Sequence, residues 1–259
     1  MPTDPKTVRA YDAHAPEYAD RAALGKNTAH DFLEKPALMA RIPKLKGKRV
    51  LLLGVGSGAE CTEYLEQHLA SLVATDISAG LVAEGRKRYP GVDFRVMDME
   101  KLELPDESFD LVVSSLALHY LPSWKEVLRE VRRVLVPHGE FLFSTHHPLT
   151  WASETVRETG KRSRVLGYAK YSDGRGEPIG NYLESRPVSD QLFNTIDVTY
   201  YHRPFSALMS DLLASGMVIK EVAEPLPTYE AHEKHPAFAK IHSKIPLFLI
   251  VHLLKNKAS

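Results

Sequence analysis

One cysteine in 259 residues, Cys61, excludes an internal disulfide, so the fold has to be held by packing and hydrogen bonds. No run of about 18 uninterrupted apolar residues occurs, and no membrane-spanning helix is expected. Met1 to Ala10 lacks the apolar stretch of a signal peptide, which points to a soluble cytoplasmic protein. Excess charge is missing too. The 33 basic and 33 acidic residues cancel, so there is no global attraction to DNA, RNA or anionic membranes. Internal repeats and low-complexity tracts are absent. What is present is an ordinary globular composition, 44% apolar and 25% charged, long enough for one large α/β domain.

Met1 to Lys48 reads as helical pieces broken by Pro16, Pro36 and Pro43. From Arg49 the pattern changes. Short apolar runs at 49–53, 71–75, 92–96, 110–114 and 140–144 read as buried strands. Helical spacing separates them over 60–69, 78–89 and 124–135. This alternation predicts a doubly wound, mostly parallel sheet, which two further strands at 218–222 and 247–254 bring to seven. Ligands of such sheets bind outside the carboxyl ends of the strands. Residues 151–203 break the rhythm; the stretch is rich in Arg, Tyr, Ser and Gly, and only 191–201 looks like strand. The expected organisation is a single domain over 1–259. A helical cap (1–48) precedes a ligand-binding core (49–148), a lid insertion (149–203) and a C-terminal helix with strands (204–259).

Gly54-Val55-Gly56-Ser57-Gly58 follows the first strand and opens a helix. Glycines there allow a tight turn and close approach of backbone to a ligand. With Ala59 the run also fits a dinucleotide fingerprint, and Asp76, ending the second strand, suits ribose hydroxyls under either reading. Glu60 and Glu63 separate the two. A pyrophosphate needs the positive end of that helix, and two carboxylates there oppose it. Met97-Asp98-Met99, after the third strand, offers a carboxylate to an adenine amino group and thioethers to its ring.

Val50–Gly58 (VLLLGVGSG), Thr75-Asp76-Ile77-Ser78, Met97-Asp98-Met99, Leu104–Leu121 and Val127–Pro148 together resemble the ordered motifs of class I S-adenosylmethionine-dependent methyltransferases. More closely, they are similar to the subgroup of ubiquinone/menaquinone-type enzymes, also called methyltransferase type 11. The resemblance spans roughly 8–222, including Tyr11, Tyr18 and the segment from Asn27 to Pro36, and Tyr201-His202-Arg203-Pro204 resembles a junction in bacterial members. It implies S-adenosyl-L-methionine as cofactor. By resemblance, Gly54, Gly56 and Gly58 line its methionine part, and Asp76 takes the ribose hydroxyls. Ile77 packs on adenine, Asp98 and Met99 hold its edge, Ser115 lies beside the sulfonium and Tyr18 closes over the top. One position departs from the family: Leu52 stands where an acid usually helps hold the methionine ammonium.

Methyl transfer needs alignment and exclusion of water, with a general base where the acceptor is a hydroxyl or a protonated amine. His119, after the fourth strand, and His146 and His147, after the fifth, fall at the carboxyl edge and are the candidates. Each has a plainer reading, His119 as packing beside Tyr120 and the pair as a turn cap. Adjacent histidines without a Cys or carboxylate cluster do not make a metal site, and none is expected. Tyr11, Tyr182, Tyr200, Tyr201 and Arg203 are candidates for an acceptor pocket. The run Lys161-Arg162-Ser163-Arg164 is either solvated or in contact with an anionic substrate group. The expected partner is a small-molecule acceptor. RNA modification, cofactor binding without catalysis, and a nicotinamide dehydrogenase stand as alternatives in that order.

Overall fold

A computed structural model describes residues 3–159 and 161–256. Its centre is a seven-stranded sheet. In chain order the strands are β1 (Arg49–Leu53), β2 (Ser71–Asp76), β3 (Asp93–Val96), β4 (Phe109–Ser114), β5 (Leu135–His146), β12 (Val218–Ala223) and β13 (Phe248–Leu254). Their spatial order is β12-β13-β5-β4-β1-β2-β3. β13 runs antiparallel to both neighbours and the remaining pairs are parallel. The order reverses between β1 and β4, and that is where a doubly wound sheet opens its binding crevice.

The inner strands β1, β2, β4 and β13 are largely apolar because both faces are covered, while the edge strands β3 and β12 carry charged, exposed residues. Alternate residues divide between two cores, as the period of two requires. Leu51, Leu53, Val112, Phe141 and Phe143 pack with Trp124, the residue before α6 (Lys125–Val134), with Val131 of that helix and with Leu212 of α8 (Phe205–Ala214). Val50, Leu52, Leu111, Val113 and Leu142 face the other way, against Leu38, Tyr64 and Val82. Those three belong to α3 (Lys35–Met39), α4 (Cys61–Leu65) and α5 (Ala79–Arg88). The helix expected over 60–69 is shorter, since the chain bends at His68 (φ 54°), where Gly47 N and Lys48 O tie it to the entry of β1.

The N-terminal segment forms α1 (Pro5–Ala13) and α2 (Ala15–Ala23), then a single π-helical turn, His30–Glu34, leading into α3. Pro36 explains that wide turn. Without an N–H it cannot donate to Phe32 O, which accepts from Thr228 N at 2.9 Å instead. Asp12 of α1 fastens this segment to α5, its Oδ1 accepting from Ser78 Oγ (2.6 Å) and Gly80 N (2.9 Å).

The stretch expected to be irregular is three hairpins after a short helix, α7 (Pro148–Ala152). They are β6 (Glu154–Glu158) with β7 (Lys161–Val165), β8 (Gly167–Lys170) with β9 (Gly176–Ile179), and β10 (Arg186–Leu192) with β11 (Ile196–His202). The third turns through Phe193 (φ 56°) and Asn194 (φ 62°), two left-handed residues as a type I′ turn demands. Two short helices not anticipated from the sequence, α9 (Tyr229–Lys234) and α10 (Pro236–His242), follow β12. No described helix is long and apolar enough to cross a membrane.

Candidate functional site

The carboxyl ends of β1, β2 and β4 open into a cavity of about 1400 Å³. Ligand pockets usually run to about 300–1,000 Å³, so there is room for two molecules side by side. Of the residues singled out from the sequence, Tyr18, Gly54, Gly56, Asp76, Ile77, Asp98, Met99, Ser115, His119 and His146 line it. Gly58 and His147 do not.

Gly54 and Gly56 have φ of +63° and +59°, and a Cβ on Gly54 would meet Ala117 Cβ at 2.4 Å. The bare backbone of Gly56 faces the Tyr18 ring, 3.2 Å from where its Cβ would be. This is a cradle for a flat ligand, closed from above by an aromatic ring. Gly58 serves packing instead, since its missing Cβ makes room for Phe94. Asp76 anchors the loop: its Oδ2 accepts from Gly56 N (2.8 Å) and its Oδ1 from Ser78 N (2.9 Å). A carboxylate has about four lone-pair sites, so two remain for a ligand. Burial pushes the Asp76 carboxyl up, and the backbone N–H donors oppose the shift. Asp98 Oδ1 accepts from Glu100 N at 2.9 Å, fixing the turn that places Met97 and Met99 on the same wall. Leu116, beside Ser115, holds φ at +47° while its N–H donates to Ser144 Oγ; left-handed backbone at a non-glycine marks this edge as strained.

The inner wall is aromatic. His119 stacks on His146 with centroids 3.8 Å apart, and Tyr200 meets both rings edge-on. Trp151 stacks on Tyr200 and Tyr120 packs against it at a tilt, and the Tyr11 hydroxyl hydrogen-bonds that of Tyr120. An indole N–H only donates, so the 2.9 Å bond from Trp151 Nε1 to His146 Nδ1 occupies the lone pair there and puts the His146 proton on Nε2. Nδ1 of His119 has no hydrogen-bond partner among the described residues. Burial pushes both imidazoles down, His146 to about 3 with help from the Arg164 charge and His119 well below its ordinary value with help from His146. Both are neutral at pH 7.

His147 does other work. Its Nδ1 accepts from Leu149 N, capping α7, and its Nε2 bonds Glu224 at 2.9 Å. Tyr11 and Tyr200 line the cavity; Tyr182, Tyr201 and Arg203 do not. Tyr182 Oη accepts from Phe205 N, and Arg203 pairs with Asp211. In the basic run, Arg164 lies over the Trp151 ring and donates to Thr150 O, while the side chains of Lys161 and Arg162 lie outside the described set. Burial lifts the Cys61 thiol to about 12, which leaves it inert.

Sequence reasoning missed the opposite wall. Glu60 and Glu63 are not free acids at a helix end, for Glu60 Oε1 lies 2.7 Å from His30 Nε2 and Glu63 pairs with Lys35. It also missed Phe193, whose ring at the tip of the third hairpin reaches Tyr18 and lies under the Arg21 guanidinium. The only sequence signal for that tip was the alternation of Ile196, Val198 and Tyr200 behind it.

Comparison with known proteins agrees with this geometry. A family profile described as a methyltransferase domain matches residues 51–143. A malonyl-[acyl-carrier protein] O-methyltransferase of Enterobacter lignolyticus is 32% identical over 222 residues, covering 85% of this chain and 80% of that protein. Among solved structures, an S-adenosylmethionine-dependent methyltransferase from Mesorhizobium loti superposes with a TM-score of 0.70 at 31% identity, covering 88% of this chain and 99% of its own. A similar putative enzyme from Listeria monocytogenes gives 0.69 at 25% identity, covering 86% of this chain and 97% of its own.

Proposed function

This chain belongs to the class I S-adenosylmethionine-dependent methyltransferases, and from that premise we propose that it methylates a small molecule with a planar, largely apolar body. S-adenosylmethionine supplies a methyl group on a sulfonium, which an in-line nucleophile takes, leaving S-adenosylhomocysteine. The observation that carries the acceptor reading is the inner wall. Tyr11, Tyr120, Tyr200, Trp151 and the neutral pair His119–His146 form a water-poor aromatic face beside the glycine loop. Such a face suits ring stacking, and the neutral His119 imidazole on the cavity wall is the base it offers a reacting hydroxyl.

In this reading Gly54 and Gly56 admit the methionine chain and Asp76 takes the ribose hydroxyls. Ile77, Asp98 and Met99 bracket adenine, Ser115 sits at the sulfonium and Tyr18 covers it. Gly58 supports the loop from behind. Two charged hydrogen bonds at roughly 1.5–3 kcal/mol each are at stake at Asp76. Asp76→Ala is expected to weaken S-adenosylhomocysteine at least about tenfold in calorimetry, with the far-ultraviolet spectrum unchanged. Unaltered affinity would remove Asp76 from the site.

Hairpins 154–202 are the lid of this reading, and they divide in two. Ile196, Val198 and Tyr200 of β11 are buried, and Thr199 N donates to Thr7 Oγ1 of α1 at 2.9 Å, whereas β8 and β9 are exposed along most of their length. Few buried contacts mean low local stability. Amides of β8–β9 are therefore expected to exchange at least about tenfold faster than those of β11 in hydrogen-exchange mass spectrometry. Equal protection would make the segment a rigid insertion rather than a lid.

The acceptor class is tested with S-adenosylmethionine labelled at its methyl group. Label is expected in the organic extract when the protein is given a small-molecule fraction of bacterial lysate. Label appearing only in RNA, or only on malonyl-loaded acyl carrier protein, the substrate named for the Enterobacter relative, would overturn the reading.

A further inference from the structure

The wall opposite the aromatic face carries charged side chains that the function above leaves unused. His30 and Glu60 line the cavity beside Leu52, Gly54 and Ser115. Behind them Glu34 is 0% exposed. Its Oε1 accepts from Ser144 Oγ (2.5 Å) and Ser115 Oγ (3.1 Å). Its Oε2 lies 3.5 Å from His30 Nε2, yet has no hydrogen-bond partner among the described residues. A buried carboxylate oxygen without a donor is costly to keep ionised, and Glu34, which does not itself line the cavity, acts on it as a charge behind Glu60 and Ser115.

Charge balance says what this wall can hold. Burial would lower the His30 imidazolium, but hydrogen bonds to Asp31 and Glu60 outweigh it and raise it to about 10. With His30 charged, ionised Glu34 and Glu60 leave the trio one negative charge in excess. Burial and the Glu60 charge accordingly lift the Glu34 carboxyl to about 7. Asp31, also paired with His30, adds a further negative charge, so the wall favours a cation. The end of β1 contributes no charge here, because Leu52 is aliphatic and packs with Leu38, Val50 and Leu142.

We infer that Glu60, which lines the cavity, holds the α-ammonium of S-adenosylmethionine, and that the charge of buried Glu34 behind it makes Glu34 a positioning residue. The acid missing at Leu52 is thereby replaced from the start of α4, backed by the π-helical turn of the N-terminal cap. The inference rests on the reading that the cofactor lies in this cavity with its ribose on Asp76. A divalent metal is the competing ligand, since donor atoms of His30, Glu34 and Glu60 all lie within 4.8 Å of one another. It would have to displace the proton His30 holds, whereas an ammonium brings its own donors and leaves His30 paired.

The test uses three ligands and the isosteric variant Glu34→Gln, which keeps the serine contacts. S-adenosylhomocysteine has both the ammonium and the carboxylate, its decarboxylated analogue keeps only the ammonium, and 5′-methylthioadenosine has neither. Calorimetry is expected to show Glu34→Gln weakening the first two by about tenfold or more and the third by less than twofold. Equal losses for all three, or none, would overturn the anchor. So would Mn²⁺ or Zn²⁺ raising the melting temperature of the wild type but not of the variant, with S-adenosylhomocysteine binding abolished by chelator. If 5′-methylthioadenosine fails to bind the wild type at all, it is the placement of the cofactor that falls, and the anchor with it.

Discussion

Asp211→Ala is expected to cost about 3–5 kcal/mol of stability, the loss usual when one partner of a buried ion pair is removed. Asp211 and Arg203 are 4% and 8% exposed, and Arg203 Nη2 donates to Asp211 Oδ2 at 2.6 Å. The same oxygen accepts from Trp124 N (2.8 Å), at the start of α6, and from Ser123 Oγ (3.3 Å). The guanidinium also lies over the Trp124 ring, 5.4 Å from its centroid. One carboxylate thus ties the end of the third hairpin to two helices of the core, and removing it leaves a buried cation whose remaining hydrogen bond goes to Ala207 O. Chains of 150–250 residues lose about 2–4 °C per kcal/mol, so the melting temperature should fall by about 10 °C. Arg203→Met combined with Asp211→Leu should recover part of the loss by removing the stranded charge, but not the bond to Trp124 N. A fall under about 2 °C for Asp211→Ala would show that the pair is solvated.

Much of this fold is legible in the sequence because parallel strands buried on both faces cannot hide. Runs such as Leu51–Leu53 and Leu111–Val113 have few other uses, and glycines at 54 and 56 mark a backbone that must bend left-handed and stay bare. The first two hairpins escape notice for the opposite reason. Strands exposed on both sides, like Gly167–Lys170, bury no alternating face and leave no period to detect. Only β11, whose Ile196, Val198 and Tyr200 turn inward, announces itself.

The site divides along similar lines. Asp76 and Asp98 are read from their places at strand ends, where the topology delivers them to the crevice. Glu34 could not be read in this way. It stands in a π-helical turn that depends on Pro36 and on Thr228, far along the chain, and its serine partners come from the ends of β4 and β5. Asp12, which caps a helix beginning at residue 79, is hidden by the same kind of distance. The three histidines show the limit of position alone. All sit at the carboxyl edge, yet the Trp151 indole takes the lone pair of His146, and His147 caps a helix, so the edge by itself does not make a base.

His119 is the base we propose, and His119→Phe, which keeps the ring stack, is expected to lower kcat by about 10²–10⁴-fold, the usual worth of a positioned base. S-adenosylhomocysteine affinity should stay within twofold, as no cofactor contact is ascribed to this ring. The measurement is single-turnover transfer of labelled methyl to the acceptor fraction identified above. Because burial, reinforced by His146, holds its pKa well down, His119 is already unprotonated at neutral pH. The rate should therefore stay level across pH 6–8, with no inflection near the ordinary histidine value of about 6.5. The same shift makes a prediction about stability. A histidine kept neutral in the fold but free to protonate when unfolded contributes stability that is present above about pH 6.5 and lost as pH falls below it. Each such group adds a slope of about 1.4 kcal/mol per pH unit in that window, and His119→Phe should remove one of them. If the acid slope flattens while kcat is unchanged, His119 is a packing residue and the acceptor arrives already nucleophilic, as a carboxylate or a carbanion would. If kcat falls and S-adenosylhomocysteine affinity falls with it, the phenyl ring has disturbed the cavity and the base remains to be found among its neighbours.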